Sequence, residues 1–74
     1  MHPEPDDVVV AKIQATVDFS VSVVARTISE TYPKRAHALT RGHELAAHRR
    51  SRLWLTEDQT HFLLVAVYGA PRSR

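Results

Sequence analysis

The sequence has 74 residues, a formal net charge of +2 at pH 7 and no cysteine. A chain this short buries only about 60% of the surface that its unfolded form exposes, and without disulfides or thiolate zinc sites its marginal core must depend on close packing or self-association. No apolar run approaches the roughly 18 residues that a membrane-spanning helix needs, and the acidic start, Met1–Asp7, is unlike a basic signal peptide, so we expect a cytoplasmic protein without membrane contact.

The few prolines and glycines divide the chain into its predicted elements. We expect a single domain over residues 1–74, with a flexible proline-rich lead over 1–6 and a tail over 71–74. Between them lie a valine-rich segment, a basic segment and an apolar C-terminal segment, with no internal repeat.

The valine-rich segment, residues 8–31, carries two competing patterns. Its middle alternates apolar and polar residues, which is typical of a half-buried strand. Four of its residues also share one helical stripe: Val17, Val21, Val24 and Ile28. It contains no Gly, Pro or Asn, which a hairpin turn would normally use. We predict a strand over Val8–Gln14 and a helix over Thr16–Thr31, which places Phe19 and Val23 on the outer face of the helix. The pattern leaves strand, helix or both open.

A second helix is predicted from Pro33 to about Arg50. Proline fits the first turn of a helix but not its interior. The apolar stripe of this helix consists of small residues and leucines: Ala38, Leu39, Gly42, Leu45 and Ala46. Glycine costs roughly 1 kcal/mol relative to alanine inside a helix. We therefore expect either a close backbone approach at Gly42 or a break in the helix there.

The C-terminal segment predicts a hairpin. Leu53–Leu55 and Phe62–Tyr68 are rich in strand formers, and the polar residues 56–60 make a turn of plausible length. The rival is a helix through Tyr68 that a capping box opens, but it would be apolar on nearly every side. The predicted fold is α+β in the order β-α-α-β-β, and the alternative is an all-α fold of three helices.

The basic segment, residues 34–52, is the main functional candidate. It holds six cations against one acid, a local charge of +5, whereas residues 1–33 carry −3. The six cations are Lys34, Arg35, Arg41, Arg49, Arg50 and Arg52. Guanidinium groups match phosphate oxygens in geometry, so we expect a basic helix that binds an anionic partner, nucleic acid first. The alternatives are a solvated surface and docking on an acidic protein surface.

Catalytic and metal-binding patterns are weak. His43 and His48 are five residues apart, so on a helix they point about 140° away from each other, unlike a zinc-protease pair four residues apart. The sequence offers no clear carboxylate pair, no nucleophile elbow and no glycine-rich phosphate loop. We expect no enzyme activity, no cofactor and no metal, and we assign Trp54 and the run Phe62–Tyr68 to the core.

The predicted order of elements, β-α-α-β-β, and several fragments of the sequence resemble the RelE/ParE toxin family. The fragments are Ala15 and Asp18-Phe19 near the start of the first predicted helix, Tyr32-Pro33 and Ala36 at the junction of the two predicted helices, and the predicted hairpin Leu53–Tyr68. The resemblance covers about half of the chain and implies, as an alternative function, a toxin-like ribonuclease or gyrase inhibitor. The residues themselves predict a small regulatory or accessory protein that binds nucleic acid and forms a homo-oligomer through the valine-rich segment or the C-terminal strand.

Overall fold

A computed structural model describes residues 3–69 of the chain. Within them, one sheet of five strands in the order β3-β2-β1-β4-β5 carries one helix on one face. The elements are β1 (Val8–Lys12), β2 (Phe19–Val23), β3 (Ser29–Tyr32), α1 (Arg35–Arg49), β4 (Arg52–Thr56) and β5 (Leu63–Val67). β1 and β4 run parallel and the other neighbours antiparallel. The predicted α+β class is confirmed, and the three-helix alternative is not supported.

The predicted helix over Thr16–Thr31 is wrong, because this stretch forms β2 and β3 instead. The period of two was the correct indication: Phe19, Val21 and Val23 all face the core and are buried. Val17, which the helical stripe placed inside, lies in the turn before β2 with 75% of its surface exposed.

Alanine residues adopt the left-handed turn conformation in the valine-rich segment, where glycine or asparagine would be usual. Ala15 has φ 64° in the turn between β1 and β2, and Ala25 has φ 67° in the turn between β2 and β3. A hydrogen bond of 2.9 Å from the backbone N–H of Ile13 to the carbonyl oxygen of Asp18 closes the turn between β1 and β2. The left-handed region is costly for an L-residue, so sequence alone favoured an uninterrupted helix.

The second predicted helix is confirmed as α1, which begins two residues after Pro33. Four members of the predicted stripe are buried, Ala38, Gly42, Leu45 and Ala46, whereas the fifth, Leu39, is only partly buried against the core. A Cβ atom on Gly42 would lie 2.8 Å from Cδ1 of Leu53 and 2.9 Å from Cγ2 of Val10. The helix therefore does not break at Gly42, because the missing side chain lets α1 approach β1 and β4 closely.

The C-terminal hairpin is also confirmed. Its turn uses the residues that suggested a helix cap, since the backbone N–H of Gln59 donates to Oγ1 of Thr56 at 2.8 Å without a helix following. The register of β4 and β5 shifts between Leu53 and Trp54, and this bulge leaves Val65 without a partner residue in the described part of β4.

The sheet packs apolar side chains on both faces. The larger cluster lies under α1 and includes Val10, Val21 and Leu53. On the opposite face Val9, Ala11 and Trp54 form a second cluster. Among residues 3–69 no helix has the length and apolar character of a membrane span. The predicted tail, residues 71–74, and the first two residues of the lead lie outside the described residues.

Candidate functional site

The structure disperses the basic segment instead of presenting it as one charged face. Four of its six cations make ion pairs with acids from other parts of the chain or from the helix itself: Arg35, Arg41, Arg49 and Arg52. The residues of α1 that point away from the sheet include exposed Ala36, Thr40 and Ala47, which carry no charge. Arg35 and Arg49 lie at the two ends of the buried stripe of the helix and Arg41 lies beside that stripe, so each of them reaches acids outside the outward face.

Arg41 joins the helix to the edge strand β3. Its Nε donates to Oε1 of Glu30 at 3.0 Å, its Nη2 lies 3.3 Å from Oε2 of the same carboxylate, and its Nη1 reaches Glu44 at 3.2 Å. The phenol of Tyr32 donates a third short bond to Glu30, at 2.6 Å. The hydrogen bonds from Arg41, and then the one from Tyr32, lower the pKa of Glu30 below its ordinary value.

A second group of arginines holds residues 3–7, which precede β1 and include Glu4, Asp6 and Asp7. We call this segment, the described part of the proline-rich lead together with Asp7, the acidic lead. Asp6 accepts from Arg26 at 2.9 Å and from Arg49 at 3.2 Å, and these two bonds lower the pKa of Asp6. Arg52 reaches Glu4 at 3.0 Å. The C-terminal end of the basic segment is thus already occupied by carboxylates of the same chain.

Asp7 is the buried member of this group, with 1% of its surface exposed. Its carboxylate accepts a hydrogen bond from Nε1 of Trp54 at 3.0 Å and lies 3.3 Å from Nε of Arg52. The guanidinium of Arg52 in turn lies 5.6 Å from the centre of the Trp54 ring. These contacts fix the lead against β4 and satisfy the one polar atom of the buried indole.

Lys34 and Arg50 are the two cations of the basic segment that make no ion pair with residues 3–69. Lys34 is the N-cap of α1 and Arg50 its C-cap, the latter in the left-handed conformation with φ 54°. Sixteen residues at about 1.5 Å per residue separate them by roughly 24 Å along the helix axis. The structure therefore does not bring the two uncompensated cations together.

The edge strand β5 presents the largest exposed apolar feature of the described chain. Among residues 3–69, the exposed large hydrophobic residues are Val17 and three members of β5: Leu63 at 64%, Val65 at 37% and Val67 at 60%. Assignment of the whole run Phe62–Tyr68 to the core is therefore wrong for these three side chains. A continuous apolar run is typical of a strand buried on both faces, so nothing in the sequence indicated this exposure, which follows from the position of β5 at the edge of the sheet.

The face of the sheet opposite α1 carries a shallow groove of about 440 Å³. Its floor is apolar, with Val9 and Ala11 from β1, and Phe62 stands at its rim. The hydroxyls of Ser20, Ser22 and Thr56 and the amide of Gln59 supply its polar side-chain groups, all of them uncharged at neutral pH.

The histidines take separate positions. Nδ1 of His43 shares a hydrogen bond of 2.6 Å with the phenol oxygen of Tyr68, at the end of β5. His61 bonds to Asp58 at 2.7 Å in the hairpin turn, and this bond lowers the pKa of Asp58 well below its usual range. Within residues 3–69 no three His, Asp or Glu side chains come together as metal ligands.

The chain matches no known protein-family model, no curated protein and no solved structure at a significant level. The resemblance to RelE/ParE toxins depended on a helix after the first strand and on Tyr32-Pro33 as a junction between two helices. The structure has β2 and β3 in the first place, and Tyr32 ends β3. The order of elements that gave the resemblance is thus not the order of this fold.

Proposed function

We propose that this chain is a small protein–protein interaction module that accepts an extended polypeptide strand along β5. The observation that carries the proposal is the concentration of exposed apolar side chains on this one edge strand. An edge strand offers backbone N–H and C=O groups to a partner, and an apolar edge adds side-chain burial to those bonds. Monomeric proteins usually protect such an edge with charged residues, and β5 has none.

A peptide with the sequence of residues 61–69 tests this proposal, because it is an extended apolar strand of the right length. We expect it to shift the backbone amide resonances of β5 and to leave those of β3 unchanged. The matched control is the same peptide with Val65→Pro, which removes a backbone donor and disrupts strand pairing. Equal binding of both peptides, or shifts confined to other elements, would contradict strand addition at β5.

A second candidate function is binding of nucleic acid by the basic segment. It is supported by the exposed cations at the two ends of α1, Lys34 and Arg50, and by the net charge of +2. Arg49, Arg50 and Arg52 also lie within one short stretch, although the acidic lead occupies two of them. A binding site here would compete with the carboxylates of Asp6 and Glu4.

Titration with labelled duplex DNA and single-stranded RNA at two salt concentrations tests the second candidate. Phosphate contacts release counterions, so binding should weaken steeply as salt rises. The double variant Lys34→Glu with Arg50→Glu should weaken binding strongly, because it reverses the two cations of the basic segment that are available to contact phosphates. Neither residue makes an ion pair with residues 3–69, so the variant should remain folded. Lys12→Glu makes the same type of charge change outside the basic segment and should retain most of the affinity. Failure to bind at low salt would remove this candidate.

A further inference from the structure

We propose that the strand that pairs with β5 is the β5 strand of a second copy of this chain, so that two sheets join into one across a twofold axis. This inference rests on the proposed function and names the partner of the same edge.

The exposed residues of β5 share the edge of the sheet and not one of its faces. Leu63 pairs with Leu55, which packs under α1, so Leu63 lies on the helix side. Val67 pairs with Arg52, on the side of Trp54, so it lies on the opposite side. A partner packed on one face would cover only one of these side chains. A strand added to the edge covers both, because its own residues alternate between the same two faces.

The other edge of the sheet is built differently. β3 has four residues, Ser29–Tyr32, and no large aliphatic side chain. Glu30 lies in this strand and is held there by Arg41. A short polar strand with a charged residue resists pairing with a further strand, so β3 is a protected edge. β5 has a bulge at Val65 but neither a charged nor a polar residue.

A second copy suits β5 because the strand is compatible with itself. In an antiparallel pair about a twofold axis, each face of one sheet continues into the same face of the other, so Leu63 lies on the helix side of both copies and Val67 on the opposite side. No charge meets a like charge, since β5 consists of leucine, valine and alanine alone. Val65 is 37% exposed, so its side chain can contact the second copy. Such a twofold contact closes on itself and does not propagate into a fibre.

The contact is small for a stable dimer. Standard interfaces bury about 800 Å² per partner, more than a five-residue edge offers, so we expect a weak dimer that dissociates on dilution. Sedimentation equilibrium of the full chain should therefore give a mass near 8.4 kDa at low concentration and approach twice that mass at high concentration.

Val65→Lys tests the position of the contact, and Val17→Lys is its matched control. Both replace an exposed valine and add one positive charge, but Val17 lies in the turn between β1 and β2. We expect the Val65→Lys chain to remain near 8.4 kDa at every concentration, and the Val17→Lys chain to dimerise as the parent does. Circular dichroism of each variant checks whether it is folded. If Val65→Lys does not fold, Val67→Glu takes its place, because its new charge lies beside Arg52.

A measurement without any substitution completes the test. In a mixture of isotope-labelled and unlabelled chains, we expect intermolecular methyl contacts between the β5 strands of the two copies. A parent chain that stays monomeric while the peptide of residues 61–69 binds at β5 would overturn self-pairing and leave the proposed function in place. A folded Val65→Lys chain that dimerises like the parent would also overturn self-pairing. If neither the peptide nor a second copy binds, both proposals fail.

Discussion

Asp7 is the buried acid that ties the start of β1 to β4, and its replacement by asparagine should weaken the fold. Oδ2 accepts hydrogen bonds from Nε1 of Trp54 at 3.0 Å and from the backbone N–H of Glu4 at 3.0 Å, and it lies 3.3 Å from Nε of Arg52. Oδ1 accepts the backbone N–H of Arg52 at 3.3 Å. Asp7→Asn keeps one oxygen and puts an amide NH₂ in the place of the other, where it faces a donor.

The expected loss follows from the bonds that asparagine cannot make. A hydrogen bond to a charged group contributes about 1.5–3 kcal/mol, and removal of one partner from a buried ion pair costs about 3–5 kcal/mol. The side chain of Arg52 is 27% exposed, so water recovers part of its lost interaction. We expect Asp7→Asn to lower the free energy of unfolding by about 2–4 kcal/mol, and the midpoint temperature by roughly 10 °C or more.

Urea denaturation followed by tryptophan fluorescence measures this effect, because Trp54 is the sole tryptophan and touches Asp7 directly. Glu57→Gln is the control, since it removes the same charge from an exposed ion pair with Arg35 at 3.4 Å. Exposed pairs of this kind contribute little to stability. If Asp7→Asn lowers the free energy of unfolding no more than Glu57→Gln does, the bonds to Asp7 only offset the burial of its charge. That result would refute a net stabilising role for Asp7.

Three further predictions concern the helix, a turn and the acid range. Gly42→Ala should gain roughly 1 kcal/mol of helix propensity but lose about 1–3 kcal/mol through overpacking against Val10 and Leu53, so thermal unfolding should show an unchanged or lower midpoint; a clear stabilisation would contradict the close approach. Ala25→Gly should stabilise by about 0.5–1 kcal/mol, because relief at φ 67° outweighs the flexibility of glycine; destabilisation in the same assay would show that the turn does not strain alanine. Hydrogen bonds from Arg41, and then from Tyr32, lower the pKa of Glu30 in the folded chain below 4.5. Glu30 therefore contributes stability above pH 4.5, and this contribution is lost as the pH falls through the lowered pKa. Over that pH range the melting temperature of Glu30→Gln should fall less than that of the parent, and equal falls would contradict this assignment.

The parts of the fold that sequence predicted are those where two independent patterns agreed. α1 combines a stripe of small residues with Pro33 just before it, and the hairpin combines two apolar strands with a polar turn. At Phe19 and Val23 the patterns disagreed. The alternation placed both residues in the core, and the missing turn residues argued for a helix. The alternation was right because Ala15 and Ala25 adopt a conformation that composition does not predict.

The basic segment illustrates a different limit of sequence analysis. Local charge is visible in the sequence, but the distance from an arginine to an acid elsewhere in the chain is not. Arg41 finds Glu30 eleven residues away, and Arg49 finds Asp6 forty-three residues away. Only the sheet order, which places the acidic lead and β3 beside the helix, determines that these charges are neutralised. The charge of +5 in residues 34–52 therefore gives a much weaker surface field than the sequence implies.

The exposure of β5 follows from the size of the sheet. Five strands spaced about 4.8 Å apart make a sheet roughly 19 Å wide, whereas a helix about 10 Å across covers about two strands. α1 packs chiefly over β1 and β2 and also contacts β3 and β4, and so it leaves the edge strand β5 largely uncovered. The edge strand β3 carries polar side chains and the Glu30–Arg41 ion pair, whereas the edge strand β5 carries leucine and valine. A second copy paired with β5 would cover this edge without any additional layer, and self-association is one of the ways in which a short chain without cysteine gains stability.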